Sequence, residues 1–460
     1  MKKWNWNLNF LRRTQIVQSL SLLCVIAMLL SLIRISAVLP GVSEEADQEK
    51  MDAEYAQSLK EYVRGPIVDR NGEILASSKI PQGERTYTNP KAFGSLLGYW
   101  SLIYGTSGIE KTYNKELATS ECGKKDEKTG STLKLTVDNG LQTVAYNQIA
   151  DKTGSVVVLD AKTGEILALT SSPSFNGNKI EENWDSFNKT EGIFTSNAFQ
   201  NGAIPGSVFK IITSAAILEN KLENEVVNDQ GSLKVDGREI SNANGAAYGK
   251  LNFKDGFKNS SNVYFMTLGL QMGADTLEQM MKRFLIGEEI LLDFTTLKSN
   301  LDFDDYSDNM IATTAFGQGR TLITPLHMAM IVQSIANDGN MLKPYVISSI
   351  TNGKGQVIRE GKMEALTTPV SKKIANEIKK VMTETGEKYD MMTLPGGGKI
   401  AAKTGTAQRG DGTNNGWMVS FAPANNPEYI VCINDLGMKE YGISLKDETE
   451  EIYGYLFNMK

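Results

Sequence analysis

Between residues 16 and 33 the chain carries no charged side chain. An apolar run of about 18–20 residues is just long enough for a helix to cross the hydrocarbon layer of a membrane. Lys2, Lys3, Arg12 and Arg13 precede it, and Glu44, Glu45, Asp47 and Glu49 follow. The basic flank is therefore expected in the cytoplasm and the acidic flank outside. Arg34 can snorkel to the outer interface. A cleaved signal peptide is the competing reading, but the run is long for one and no clear A-x-A site follows it. Either way the rest of the chain is exported. We expect a cytoplasmic tail over 1–15, a single-pass anchor in the cytoplasmic membrane over 16–39, and everything beyond it outside the cytoplasm.

The remaining sequence excludes several classes of function. A net charge of −6, with no basic stripe interleaved with aromatics, argues against a nucleic-acid partner. Cys24, Cys122 and Cys432 lie far apart, which suggests neither a zinc site nor a disulfide framework, and no metal or cofactor is expected. Residues 40–60 are polar and acidic with helical spacing, as in a stalk. Asn71-Gly72 is a hairpin turn between short β-prone runs. Gly105 to Leu117 reads as a loop entering a helix, 122–128 as a solvated loop, and 133–137 as an alternating strand. Composition shifts near Gly154. There 155–159 and 165–169 flank the turn Asp160-Ala-Lys-Thr-Gly164, predicting a hairpin. Helical patterns then dominate to about residue 340, and strands return at 400–402, 417–421 and 429–433. This order predicts an α+β domain over 151–460, with a sheet assembled from both ends of its sequence. A small elongated N-terminal domain over 40–150 precedes it.

An acyl-transferring site needs a nucleophile, a group to take its proton, an oxyanion site and a proton route to the leaving amine. The single histidine, His327, stands at an apparent helix start with no G-x-S-x-G elbow to accompany it, so it reads as structural. Lysine is the alternative base, and S-x-x-K occurs three times. Ser131-Thr-Leu-Lys134 lies in the alternating strand, where positions three apart face opposite ways. Ser186-Phe-Asn-Lys189 lies in a polar segment without an evident apolar period. Ser207-Val-Phe-Lys210 follows Pro205-Gly206 and opens an apolar segment, 208–218, that predicts a buried helix. At a helix start, residues i and i+3 share a face, so Lys210 can reach the Ser207 oxygen. Burial and the positive helix end both favour a neutral, basic amine there. The Ser207 N–H is also available to bind an oxyanion. A serine N-cap with a solvated lysine is the plainer alternative.

K-T-G occurs at Lys128, Lys152, Lys162 and Lys403. The first three read as loop and turn chemistry. Lys403-Thr404-Gly405-Thr406 continues an apolar run and so sits on a strand. There a glycine suggests close backbone approach by a ligand, and the edge suits an extended peptide. An exposed edge strand with a protective lysine is the alternative. Asn259-Ser260-Ser261-Asn262 heads another apolar run and alone is only a good helix cap.

In order, S-x-x-K, S-x-N and K-T-G form the signature set of penicillin-recognising serine enzymes. The chain resembles the class B penicillin-binding proteins along nearly its whole length. The segment 64–76 is similar to the family's R-G-x-I-x-D-R-N-G-x-x-L-A, and Gly108-Ile-Glu110 to its G-x-E. Residues 155–173, Gly317-Gln-Gly319 and Thr324-Pro325 match as well. The resemblance implies a penicillin-binding-type transpeptidase fold, mainly an antiparallel sheet flanked by helices. It also implies that Ser207 attacks the penultimate D-alanine carbonyl of a peptidoglycan stem peptide while Lys210 takes the proton. Ser260 would relay a proton to the departing D-alanine with electrostatic support from Lys403. Asn262 would hold the acyl chain's amide. The N–H groups of Ser207 and Thr406 would form the oxyanion hole, and the strand Thr404-Gly405-Thr406 would bind substrate, its hydroxyls gripping the carboxylate. A neighbouring stem-peptide amine would accept the acyl group, and β-lactams would acylate Ser207 as mimics. No polymerase domain is seen, so a separate membrane glycan polymerase is the implied partner. Two features depart from the pattern: Asn197-Ala198-Phe199 stands where the family often has an arginine, and the tandem Ser260-Ser261 leaves the serine to be chosen by the S-x-N frame.

A serine β-lactamase shares the nucleophile. Glu289-Ile-Leu-Leu-Asp293 approaches the E-x-x-L-N of class A enzymes but ends in aspartate. A D,D-carboxypeptidase, with water as acceptor, is the other alternative. A β-lactam sensor would need a signalling element such as H-E-x-x-H, which one histidine cannot supply.

Overall fold

Residues 60–119, 128–303 and 306–459 are described by the structure, a computed structural model. The expected tail and membrane anchor lie outside them, as do most of the stalk, nearly all of the 122–128 loop, Cys24 and Cys122. Among the described residues no helix is long and apolar enough to cross a membrane. Cys432 is buried with a free thiol.

At Asn71-Gly72 the chain turns as its residues predict. Gly72 takes φ 89°, a left-handed value costly for a residue with a side chain. Asp69 accepts from the backbone N–H groups of Asn71 and Glu73 at 2.8 Å each. The turn joins Ile67–Val68 to Ile74–Ser77, and Thr86–Tyr87 and Thr132–Leu135 extend the sheet on either side. Two strands from far along the chain, Ile347–Thr351 and Val357–Glu360, complete it. Strands thus return from Met341 onward, well before Ile400.

Two of the segments that carry the family resemblance, 64–76 and 108–110, meet in this part. The Glu110 carboxylate is fully buried and receives Arg64 and Arg85, each at 2.7 Å. Burial alone would raise its pKa, but the two guanidinium groups outweigh burial and hold it below the usual carboxylate range. Glu110→Gln would leave two buried cations poorly matched, and breaking such a pair costs about 3–5 kcal/mol. Because the folded pKa is depressed, the carboxylate's contribution is present above its unfolded pKa. That contribution disappears as pH falls through the folded value. Urea titrations across acid pH should show this loss in the parent protein and not in the variant.

In the larger part, β1 (Gly154–Asp160) and β2 (Ile166–Ser172) form the predicted hairpin. Asp160 accepts from the N–H groups of Lys162 and Thr163, so this K-T-G copy is turn chemistry. β3 (Ala401–Gln408), β4 (Asn414–Ala422) and β5 (Tyr429–Met438) join them in the antiparallel order β3-β4-β5-β1-β2. Side chains alternate between two cores, as a two-residue period requires. Val157, Leu159, Val419 and Cys432 face one, and Val156, Val158, Met418 and Val431 face the other.

The first core receives α1 (Lys210–Glu219), α2 (Asn262–Met272), α3 (Pro325–Ala336) and α4 (Lys372–Lys388), and the second receives α5 (Lys446–Leu456).

Two helical-block expectations need correction. Residues 180–189 are helical rather than patternless: Ile180, Trp184 and Phe187 recur at helical spacing and pack with Tyr99, Phe175 and Phe194. Ser186 therefore sits on an exposed helix, remote in role from an acyl site. Residues 227–251 form two small ribbons, Ser232–Val235 with Arg238–Ser241 and Val227–Asp229 with Gly249–Leu251. The first turns at Asp236-Gly237, both at positive φ, a tight hairpin signal present in the sequence.

Candidate active site

Ser207 lies in a tight turn, Gly206–Phe209, that leads directly into α1. Gly206 takes φ 55°, and a Cβ there would stand 2.8 Å from the Thr406 carbonyl group. Its N–H donates to the Gly317 carbonyl at 2.8 Å. The turn is therefore wedged between β3 and the Gly317-Gln-Gly319 loop. On β3, Gly405 presses against the chain itself: a Cβ would meet the Pro205 carbonyl at 2.6 Å. The glycine lets the strand lie against the nucleophile's turn.

Lys210 is fully buried, with its amine 5.4 Å from the Phe265 ring and 6.0 Å from that of Phe316. Four oxygens surround it: the Ser260 carbonyl at 2.7 Å, Asn262 Oδ1 at 2.8 Å, Ser207 Oγ at 3.0 Å and Ser260 Oγ at 3.3 Å. The first two only accept, so they take two hydrogens from the nitrogen. In a neutral amine the lone pair is then left for a hydroxyl, and Ser207 is the nearer one. Burial pushes Lys210 well below the ordinary lysine pKa, and the nearby Lys403 cation pushes it further down.

Lys403 is also fully buried, on β3, and donates to Ser260 Oγ at 2.9 Å. Burial brings its pKa down to about 7. Ser260 thus stands between two amines, in a left-handed conformation at φ 52°. The tandem serines separate cleanly. Ser261 is buried, caps α2 by accepting from the Tyr264 N–H at 2.9 Å, and donates to Asp229. Only Ser260 faces the lysines.

Around this centre, Asn262 also donates to the Ser241 carbonyl at 2.9 Å, which fixes the orientation of its amide. Thr404 shares a hydrogen bond with the Tyr389 hydroxyl at 2.9 Å, and Thr406 accepts from the Gly442 N–H at 2.9 Å. The next residue back, Tyr441, donates to Asn244 at 2.9 Å. Sequence reasoning passed over Tyr389, Gly442, Asp229 and Asn242; none belongs to a motif, and each acts through contacts between distant segments.

The other candidates fall outside the cluster. His327 is buried in α3. Its Nε2 donates to the Phe284 carbonyl at 2.8 Å, so Nδ1 accepts from Ser299 at 2.7 Å, and burial lowers its pKa to about 4. Lys134 and Ser131 belong to the N-terminal sheet region, and Lys152 pairs with Glu448. Asp293 accepts from Arg359 and from the Val346 and Ile347 N–H groups, while Glu289 is exposed. In the stretch Asn197-Ala198-Phe199, Asn197 ties its segment to β2 through Ser171 and Ser172. Among the described residues no group of three His, Cys, Asp or Glu side chains could hold a metal.

Comparison with known proteins bears on the fold and the family. The penicillin binding protein transpeptidase domain family matches residues 154–452, and the penicillin binding protein A dimerisation domain family matches 64–139. Peptidoglycan D,D-transpeptidase PbpA of Mycolicibacterium smegmatis is 26% identical over 417 residues, covering 82% of this chain and 84% of the relative. Penicillin-binding protein 3 of Bacillus subtilis is 29% identical over 422 residues, covering 82% and 60%. The D,D-transpeptidase domain of a peptidoglycan glycosyltransferase from Eggerthella lenta superposes with a TM-score of 0.79 at 30% identity, over 86% of this chain and 98% of that one. The penicillin G acyl-enzyme of penicillin-binding protein A from M. tuberculosis gives 0.80 at 25%, over 86% and 99%. With the fold, the order of its motifs and these relatives in agreement, the chain belongs to the class B penicillin-binding proteins, the serine-type D,D-transpeptidases of peptidoglycan.

Proposed function

We propose that the protein cross-links peptidoglycan stem peptides through an acyl-enzyme on Ser207. The carrying observation is the buried Lys210 amine, which has two acceptors already served and the Ser207 hydroxyl 3.0 Å away. Ser207 Oγ attacks the penultimate D-alanine carbonyl as its proton passes to Lys210. When the tetrahedral intermediate collapses, the C–N bond breaks and the proton returns by way of Ser260 to the departing D-alanine amine. A second stem peptide's amine then attacks the ester, forming the cross-link and restoring Ser207. The Ser207 and Thr406 N–H groups serve the oxyanion, Asn262 the acyl chain's amide, and Lys403, Thr404 and Thr406 the carboxylate, on the strand that Gly405 keeps close.

In this reading 1–15 is cytoplasmic, 16–39 spans the membrane, 40–150 is the pedestal and 151–460 the transpeptidase domain. The apolar run and its charged flanks support the anchor. A membrane glycan polymerase is the partner that would supply strands to be cross-linked.

Labelled penicillin should modify the protein at Ser207, located by peptide mass. The adduct should persist through dialysis. Among the described residues no carboxylate hydrogen-bonds Ser207, Lys210 or Ser260. Rapid loss of the label with release of hydrolysed penicillin would favour a β-lactamase, and an adduct on another residue would end the proposal.

A further inference from the structure

Ser260 sits at φ 52°, a conformation that residues with side chains adopt only when their surroundings hold them there. On its N-terminal side the turn is pinned by backbone bonds, Ser260 N–H to the Phe257 carbonyl and Ser261 N–H to the Gly256 carbonyl, each at 3.0 Å. On its C-terminal side the restraint comes from the 227–251 ribbons, which the reaction as described does not use. Asp229 is 1% exposed there. Its Oδ1 accepts from the Gly231 N–H at 2.8 Å and from Asn242 Nδ2 at 2.9 Å. Its Oδ2 accepts from Asn242 Nδ2 at 2.8 Å and from Ser261 Oγ at 2.5 Å. Asn242, so oriented, accepts the Asn262 N–H at 2.7 Å and the Val263 N–H at 3.2 Å. One buried carboxylate thus fixes both Ser261 and the start of α2, the two anchors that follow Ser260 in the chain.

We propose that Asp229 is a positioning residue for the proton step at Ser260: through Ser261 and Asn242 it holds the strained turn that places the Ser260 hydroxyl between Lys210 and Lys403. Burying a carboxylate is costly unless it is fully hydrogen-bonded. Here one donor, Ser261, belongs to the segment that carries Ser260 and Asn262, and another, Asn242, is itself bonded to the Asn262 and Val263 N–H groups. Without Asp229 the turn can relax towards ordinary backbone geometry, withdrawing the hydroxyl from the amines.

The inference rests on Ser260 as the relay, and it has a signature that general damage to the fold lacks. A departing amine must receive a proton, whereas a thiolate leaves without one. Two donors with the same acyl part, one a D-alanyl amide and one a thioester, therefore separate the relay from acylation itself. Ser260→Ala sets the reference ratio. Asp229→Ala should approach it, losing about 10²-fold or more on the amide, the usual worth of a positioned proton donor, and only a few-fold on the thioester. Equal losses on both donors overturn the inference. Should Asp229→Ala fail to fold by circular dichroism, Ser261→Ala, which removes the contact to Asp229 together with the cap on the Tyr264 N–H and leaves the carboxylate its other donors, is judged by the same criterion. Penicillin labelling at Ser207 in the parent protein separates the two levels: normal labelling with equal losses defeats only this inference, whereas labelling elsewhere defeats the function.

Discussion

Ser207→Ala is expected to give a folded protein that forms no penicillin adduct and turns over no stem-peptide donor. The hydroxyl is half-buried at the mouth of a tight turn, and among the described residues its one side-chain partner is Lys210. Deleting it leaves the Lys210 amine bonded to the Ser260 carbonyl and Asn262 Oδ1, so no buried polar group is orphaned. Stability should change little, while the rate falls by roughly 10⁴- to 10⁶-fold, the scale seen when a serine hydrolase loses its nucleophile. Mass spectrometry of the intact variant after penicillin, beside a thermal melt, checks both halves. A variant that still gained the mass of the antibiotic would move the nucleophile elsewhere.

Lys210→Arg should be nearly as damaging for a different reason. Arginine stays protonated at any accessible pH, so it keeps the positive charge and loses the base, a change worth about 10²- to 10⁴-fold in acylation. In the parent protein the two lysines predict the shape of the pH profile. Two buried amines joined through one hydroxyl do not both carry charge readily, and Lys210 gives up its proton first. Acylation by penicillin should rise as pH passes the depressed Lys210 pKa. It should decline again above about 7, where Lys403 loses the charge that draws the ligand's carboxylate. Penicillin methyl ester has no carboxylate to attract, so its profile should lack the alkaline decline. An identical decline for acid and ester would remove Lys403 from carboxylate binding.

What could be read from the chain beforehand was mostly local. A serine and a lysine three apart at the start of an apolar run share a face whatever the rest of the protein does. An Asp-x-x-x-Gly turn between two apolar runs closes a hairpin on its own. The opposite-face argument for Ser131 and Lys134 needed only the two-residue period of the strand. Misreadings came where partners are remote. The neighbour that requires a glycine at 405, the Pro205 carbonyl, comes from two hundred residues earlier and was not foreseen. The strand Ile347–Thr351 carried no sign that it would pair with Thr132–Leu135. Asp229 and Asn242 stand in no motif, and their meeting with Ser261 and Asn262 exists only after folding. Two misses were legible: Asp236-Gly237 is a hairpin turn, and Ile180, Trp184 and Phe187 keep helical time.

The five-stranded sheet joins the late strands β3 to β5 to the early hairpin through β5, with Tyr429 registered opposite Asp160. A polypeptide synthesised from its N-terminus therefore finishes β1 and β2 long before β5 arrives to cover them. Almost every side chain of that hairpin is destined for burial, and one of its edges stays open meanwhile. Contacts so distant in sequence close slowly, and exposed apolar edges invite association with other chains in the interval. Truncation anywhere before residue 429 removes the strand that covers this hairpin, independently of how stable the finished molecule is.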